Sequence, residues 1–239
     1  MKLAIMQPYL FPYLGYFQLV RCVDHFVFFD DVNFIMRGWI NRNQYLHDGA
    51  GKLFTVPLNK ASQNRRICEI EVSEEPGWRQ KLLKPISFTY QRAPFFKEAY
   101  AILESVILES PVVISRMAEK SILRTMEYLE IPVKTSRSSE HGYEALKGQE
   151  RIFALCKILG ATEYVNAIGG TQLYQGQDFQ AQGLQLYFIK GRLPEYPQFG
   201  KTPVKGLSML DVLMFNEPST IREYLDHYEL IQPSAPENR

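Results

Sequence analysis

The sequence predicts an α/β domain built on a doubly wound, mainly parallel sheet, carrying a β-hairpin insertion and a helical middle region. Three observations lead there. The first thirty residues spell strand, loop, helix, strand. Residues 131–189 spell strand, helix, strand, helix, strand. Between the halves, residues 78–130 show helical spacing almost throughout. Two βαβ halves of this kind build an open parallel sheet with helices on both faces.

Lys2 to Met6 is an apolar run that reads as a buried strand. Pro8 stops it, because proline cannot donate to a sheet ladder and biases Gln7 toward extended backbone. Pro12 and Gly15 bracket an aromatic turn, and from Gly15 the apolar positions Phe17, Val20, Cys22 and Val23 take up helical spacing. His25 to Phe29 is the next strand, closed by Asp30 and Asp31. Residues 31–45 alternate loosely, Asp48 to Gly51 offers a hairpin turn, and Lys52 to Pro57 reads as the return strand. Ala61 to Arg66 is polar, a solvated loop whose cations Lys60, Arg65 and Arg66 also suit an electropositive lid.

Ile67 to Val72 alternates and is expected to be a strand. Helices are expected over Trp78–Tyr90, from Pro94 through Glu109, and from Pro111 to about Leu129. Ile131 to Ser136 is a short strand, and Gly148 to Leu159 a helix stopped by Gly160. Thr162 to Ile168 is a strand broken by Gly169 and Gly170, Thr171 to Phe179 a short helix, and Leu184 to Ile189 the last clear strand. Ser208 has the form of an N-cap, with Asp211 in a capping-box position. One domain is expected over residues 1–230, with the helical insertion around 78–130 and a disordered tail over 231–239, rich in Pro, Ser and charge.

Composition narrows the function classes. Apolar content of 46% with 22% charged residues is that of an ordinary globular chain, and a net charge of +1 gives no global pull toward nucleic acid or a membrane surface. The three cysteines are far apart and sit in apolar patterns, which suits a reducing compartment. The four histidines lack metal-ligand spacing, so no metal site is expected. No run approaches the roughly 20 apolar residues of a membrane span, and the five-residue run after Lys2 is too short for a signal peptide. A cytoplasmic protein is the expectation.

In a doubly wound sheet the first strands of the two halves lie side by side, and ligands bind at their carboxyl ends. That places Gln7, Pro8, Tyr9, Tyr13, Gly15 and Tyr16 opposite Asn166, Gly169 and Gly170 across one crevice. The glycine pair lets backbone N–H groups approach a phosphate closely. Arg37, Trp39, Asn41, Arg42 and Asn43 form a dense set of donors around an indole, able to grip a phosphate and stack a ring; a solvated hairpin face explains them equally well. Tyr196 and Ser208 are within reach of the same crevice. Asp30 and Asp31, at the end of the second strand, are candidate general bases, with strand termination as the alternative.

Two resemblances bear on these residues. The opening strand, glycine-bearing loop and helix look like the start of the HIGH-type nucleotidyltransferase (HUP) superfamily, which includes class I aminoacyl-tRNA synthetases and pantothenate synthetase. That likeness implies a Rossmann-like sheet. The superfamily's H-x-G-H would fall on Tyr13-Leu14-Gly15-Tyr16, where the glycine is retained and both histidines are tyrosines. A phenol cannot replace an imidazolium near neutral pH. No Lys-Met-Ser-Lys-Ser stretch is present, although Ser208-Met209 falls where one belongs.

The second resemblance spans nearly the whole chain. Gln7-Pro8-Tyr9, Pro12, Gly15-Tyr16-Phe17, Trp39, Asn41-Arg42-Asn43, Val56-Pro57, Trp78, Ala93-Pro94-Phe95-Phe96, Gly169-Gly170 and Leu207 to Asp211 together resemble the WbqC-like family. The resemblance implies a place in bacterial surface-polysaccharide (O-antigen, lipopolysaccharide) biosynthesis. That pathway, taken with the nucleotide-type crevice and aromatic loops suited to sugar and base, suggests a transferase moving an acyl or aminoacyl group onto the amine of a nucleotide-linked sugar. In that scheme Gln7, Asn41 and Asn43 orient the sugar or acyl group, and Arg37 and Arg42 hold the diphosphate. An acyl or aminoacyl carrier and a homodimer are possible partners. The alternatives are nucleotidyl transfer or ATP-dependent ligation, and a non-catalytic carbohydrate- or carrier-protein-binding module. The sequence fixes no cofactor; a nucleotide-sugar or ATP is the expected ligand.

Overall fold

The computed structural model describes residues 1–109, 112–200 and 202–233. Strand β1 (Lys2–Met6) and helix α1 (Leu14–Arg21) lie where the hydrophobic pattern puts them, followed by β2 (His25–Phe28). The hairpin strands are β3 (Arg42–His47) and β4 (Ala50–Thr55), so residues 31–41 form a loop rather than the start of the first hairpin strand. His47 pairs with Ala50, leaving Asp48 and Gly49 as a two-residue turn with φ of +50° and +75°. Positive φ at both positions is the type I′ hairpin geometry that matches strand twist.

The strand expected over Ile67–Val72 is instead a 3-10 turn, Ile67–Glu69, followed by two residues, Glu71–Val72 (β6), paired with Leu58–Asn59 (β5). One long-range and one local hydrogen bond win over the alternation. The Cys68 amide donates to the Asp30 carbonyl at 2.8 Å, and the Glu69 carboxylate folds back onto the Arg66 amide at 3.0 Å.

The helical region holds α2 (Trp78–Tyr90), α3 (Phe96–Leu108) and α4 (Ile114–Tyr128); Pro111, expected at the start of the third helix, lies outside the described residues. The next strand, β7 (Thr135–Arg137), begins four residues later than expected. Helix α5 (Gly148–Leu159) ends at Gly160 in the left-handed conformation, φ +70°, the C-terminal stop that glycine permits without a Cβ clash.

After β8 (Glu163–Ala167) come a 3-10 turn, Ile168–Gly170, and helix α6 (Gly176–Ala181), which starts later than the expected Thr171. Then follow β9 (Gln185–Gly191), α7 (Met209–Phe215), α8 (Pro218–Asp226) and β10 (Tyr228–Ile231). The last two are additions to the sequence reading. Ile231, expected in the disordered tail, belongs to β10, and residues 234–239 lie outside the described residues.

Among the described residues, six strands form the central sheet in the order β10-β9-β8-β1-β2-β7, all parallel except β10. This mixed α/β arrangement is compatible with a Rossmann-like sheet, and it sets β1 beside β8, the first strands of the two halves. One face carries the larger core, with Phe17, Phe26, Phe28 and Leu213; the other, under α5 and α6, buries Leu3, Ile5, Val27, Leu155, Phe179 and Phe188. Among the described residues, no helix is long and apolar enough to cross a membrane.

Strand pairing is uneven where it matters. β1 pairs with β2 at four positions and β8 with β9 at five, but β1 pairs with β8 only at Lys2–Glu163 and Leu3–Tyr164. Beyond that point the two central strands no longer pair.

Candidate functional site

The loop that leaves β1 is pinned from three sides. Phe11, fully buried, takes φ +42°, a left-handed conformation that costs energy for any residue with a Cβ. Its amide donates to Ser121 Oγ of α4 at 2.9 Å. Its carbonyl accepts from Asn43 Nδ2 of β3 at 2.7 Å and from Ser208 Oγ, the N-cap of α7, at 2.8 Å. The Leu10 amide reaches the Trp39 carbonyl at 3.2 Å, and the Met209 amide reaches the Pro12 carbonyl at 2.9 Å. Asn43 and Ser208, expected to touch a ligand, therefore spend their polar groups holding this loop.

Tyr16 is also internal. Its ring lies 5.7 Å from Tyr9 and 5.6 Å from Phe26, its hydroxyl donates to the Gln7 carbonyl at 2.9 Å, and burial pushes its phenol well above the usual range. Gly15 has a steric duty: a Cβ there would come within 2.5 Å of the Tyr13 ring, which folds over the helix start with 42% of its surface exposed.

The Trp39 cluster divides in two. Asn41 Nδ2 donates to the Val56 carbonyl at 2.8 Å, and Arg42 folds back on its own loop through the Gly38 carbonyl at 3.0 Å and the Arg37 carbonyl. Trp39 stays 43% exposed with the Arg42 guanidinium 5.9 Å from its ring centre, and Arg37, at φ +61°, is exposed. Tyr196 is in a different neighbourhood. Its hydroxyl donates to Asp211 Oδ2 at 2.7 Å, as Tyr90 does to Oδ1 at 2.7 Å, and Gln198 adds a third donor. Asp211 is thus absorbed by this network rather than by a capping box. The adjoining cavity, lined by Tyr13, Leu14 and Tyr196, is about 30 Å³, room for roughly one water.

Asp30 and Asp31 are 1% and 3% exposed. Asp30 accepts from the Ser139 amide at 3.1 Å and from Ser139 Oγ at 2.9 Å, so it ties the end of β2 to the turn after β7. Burial raises its pKa, and the Ser139 bonds oppose that rise. Asp31 accepts from Ser138 Oγ and forms a salt bridge with Arg151 in the first turn of α5. Arg151 is 4% exposed, and its guanidinium lies 5.1 Å from the Phe29 ring centre. Both aspartates are internal acceptors, not carboxylates open to an incoming amine.

The other wall comes from β8. Asn166, 8% exposed, accepts from the Ala167 amide at 2.7 Å through Oδ1 and donates to the Tyr164 hydroxyl at 3.3 Å. Gly170 lies tightly against it, since a Cβ there would be 3.1 Å from Asn166 Cγ, whereas Gly169 faces open space. Directly after this turn, from Thr171 and Tyr174, a groove of about 980 Å³ runs beside α6. Gln175, Gln177, Gln180, Gln185 and Gln232 line it, with no charged side chain among its described lining residues. Tyr174 packs edge-on against Tyr164, which connects the groove to Asn166.

Gln7 and Pro8 follow β1, and Gly169 and Gly170 follow β8, which carries Asn166, so all five lie at the carboxyl ends of these neighbouring strands; Arg151, Tyr174 and the groove glutamines were not named in the sequence reading. A signal for the groove was present: Gln172, Gln175, Gln177, Gln180, Gln182 and Gln185 are six glutamines within fourteen residues. Arg151 carried none, because its partner is 120 residues away.

Comparison with known proteins gives one family match: the model of the WbqC-like protein family covers residues 7–223. A curated relative, the uncharacterized protein Rv1507c of Mycobacterium tuberculosis, is 26% identical over 227 residues, covering 94% of this chain and 97% of its own. No solved structure matches.

Proposed function

The chain belongs to the WbqC-like protein family, and from that premise we propose that it is a transferase of bacterial surface-polysaccharide (O-antigen) biosynthesis that adds an acyl or aminoacyl group to the amine of a nucleotide-linked sugar. One observation carries the reading: a glutamine-lined groove of about 980 Å³ runs beside α6 with no charged side chain among its described lining residues, near the upper end of the range for small-molecule sites. Amide side chains both donate and accept, as a neutral polyhydroxylated ring requires, and Tyr174 adds an apolar face for it. The Gly169–Gly170 turn, with Gly169 open, suits close approach of a diphosphate.

The burial of Asp30 and Asp31 favours a second reading, a non-catalytic carbohydrate-binding module, since neither carboxylate is free to take a proton from an amine. Thermal denaturation with nucleotide-diphospho amino sugars and, separately, with ATP tests the ligand, because a bound ligand adds RT ln(1 + [L]/Kd) to stability. A shift with the sugar nucleotide alone is the expected result. A shift with ATP alone moves the protein to nucleotidyl transfer or ligation, and no shift with either removes the transferase reading. Turnover with an acyl donor then separates enzyme from binding module.

A further inference from the structure

Three large apolar side chains stand in solvent on one short turn after β2: Ile35 is 48% exposed, Met36 50% and Trp39 43%. Single exposed apolar residues are ordinary on a soluble protein, but three within five positions call for a partner. The turn is firmly built. Phe34 and Ile40 are buried on either side of it, and the Gly38 amide closes it on the Ile35 carbonyl at 3.1 Å. Arg42 clamps it from within, with Nε on the Gly38 carbonyl at 3.0 Å and Nη2 on the Arg37 carbonyl. The apolar side chains are thus held outward by a preformed backbone, which lowers the ordering cost of binding.

Positive charge gathers at the same place. The Phe34 amide donates to the Arg65 carbonyl at 2.9 Å, which joins this turn to the basic loop that follows Lys60. Residues 33–42 and 60–69 carry five cations, Arg37, Arg42, Lys60, Arg65 and Arg66, against one carboxylate, Glu69. That is a local charge of +4 in a chain whose net charge is +1. Glu69 faces Arg66, and among the described residues the other four cations form no ion pair; Arg65 bonds only the Lys60 and Glu69 carbonyls. We infer that this turn is a docking site for an anionic lipid surface, with Ile35, Met36 and Trp39 entering the bilayer interface and the cations meeting lipid phosphates. A stable protein partner covers about 800 Å² on each side, more than a five-residue turn presents. A bilayer asks only that a few side chains sink to headgroup depth, a layer that tryptophan favours and to which nearby cations add attraction. The Trp39 carbonyl accepts from the Leu10 amide at 3.2 Å, so docking brings the loop that leaves β1 close to the headgroups.

The test mixes the full chain with vesicles of phosphatidylcholine alone and of an equimolar mixture with phosphatidylglycerol, and reads sedimentation and tryptophan emission. The chain has two tryptophans, and Trp78 is buried with Nε1 on the Ser73 carbonyl at 2.8 Å, so an emission change reports Trp39. The expected result is sedimentation with the anionic vesicles alone, a blue shift of Trp39 and its quenching by bromine-labelled lipid tails. Met36→Ser and, separately, Arg37→Glu should each weaken vesicle affinity about tenfold. Both should leave Tm unchanged, because both side chains are in solvent. Sedimentation with neither vesicle overturns the inference, and equal binding to both overturns the anionic preference. Sedimentation without any change in Trp39 emission, unaffected by Met36→Ser, overturns insertion in favour of surface adhesion through charge. A dimer that Met36→Ser dissociates, without vesicle binding, reassigns the turn to contact between copies of this chain. An emission shift with soluble UDP-N-acetylglucosamine but not with vesicles returns Trp39 to the ligand site.

Discussion

Arg151, in the first turn of α5, forms a salt bridge with Asp31 at the end of β2, and the two side chains are 4% and 1% exposed. They join the crossover helix to the sheet at the point where the candidate crevice opens. Leaving one charge of such a pair buried and unpaired is costly, by about 3–5 kcal/mol, whereas removing both together costs much less. Asp31→Ala is therefore expected to lower unfolding free energy by about 3 kcal/mol in urea titrations. The double variant Asp31→Leu with Arg151→Met should lose clearly less than the two single losses added together. Additive losses would show that the two residues act independently.

Asn43 separates a structural from a substrate-binding role. Its side-chain amide supplies the donors to the Leu10 and Phe11 carbonyls at 3.0 and 2.7 Å, and its Oδ1 accepts from the Gln44 amide at 2.8 Å. Asn43→Ala takes this partner from the Leu10 carbonyl and the Gln44 amide and leaves the Phe11 carbonyl with Ser208 alone, at about 1–3 kcal/mol for each buried group left unpaired before relaxation. The expected outcome is a loss of at least about 2 kcal/mol in chemical denaturation with or without ligand. An Asn43→Ala protein of wild-type stability that binds sugar nucleotide weakly would return this residue to the binding surface.

How much of this was legible beforehand follows the range of the interactions. β1, α1, α2 and α5 depend on hydrophobic period and on local stops such as Pro8 and Gly160, and they lie within two residues of expectation. α8 had local signals, Pro218 in its first turn and apolar Ile221 and Leu225 four apart, though it is only nine residues long. β10 has four residues and exists because β9 offers it an edge. The placement of Gln7–Pro8 and Gly169–Gly170 after the carboxyl ends of β1 and β8 was legible, because it follows from strand order. It was misread where polar side chains turn inward: Asn43, Ser208 and Tyr16 look like ligand contacts in sequence, but their partners are carbonyls of a loop in left-handed conformation at Phe11.

Gln18 tests how the first helix is held over the sheet. Buried in α1, its side-chain amide lies within hydrogen-bond distance of the Arg192, Tyr224 and His227 carbonyls at 3.1, 2.8 and 3.0 Å. It thereby links α1 to the end of β9 and to the last turn of α8. Gln18→Leu keeps the bulk and removes the donors, so a loss of about 2–3 kcal/mol is expected. Amide exchange should rise in residues 224–231 more than in α2, since the lost bonds bind the C-terminal helix and strand. Uniform exchange across the chain would count against this local role.

Asp211 gives a pH test. Its carboxylate is fully buried, and burial raises its pKa above the usual value of 3.8, with the donors Tyr90, Tyr196 and Gln198 working in the opposite direction. A carboxyl group with a folded-state pKa above its unfolded-state value binds its proton more tightly when folded. Its contribution to stability is then largest below the unfolded-state pKa and declines as pH rises through that value toward the folded one. Asp211→Asn cannot titrate, so the free-energy difference between wild type and variant isolates this term. The wild-type advantage over Asp211→Asn should be larger at pH 4 than at pH 7, measured by denaturant unfolding at both values. An advantage that grows toward pH 7 would mean that the three donors outweigh burial and hold the carboxylate ionised.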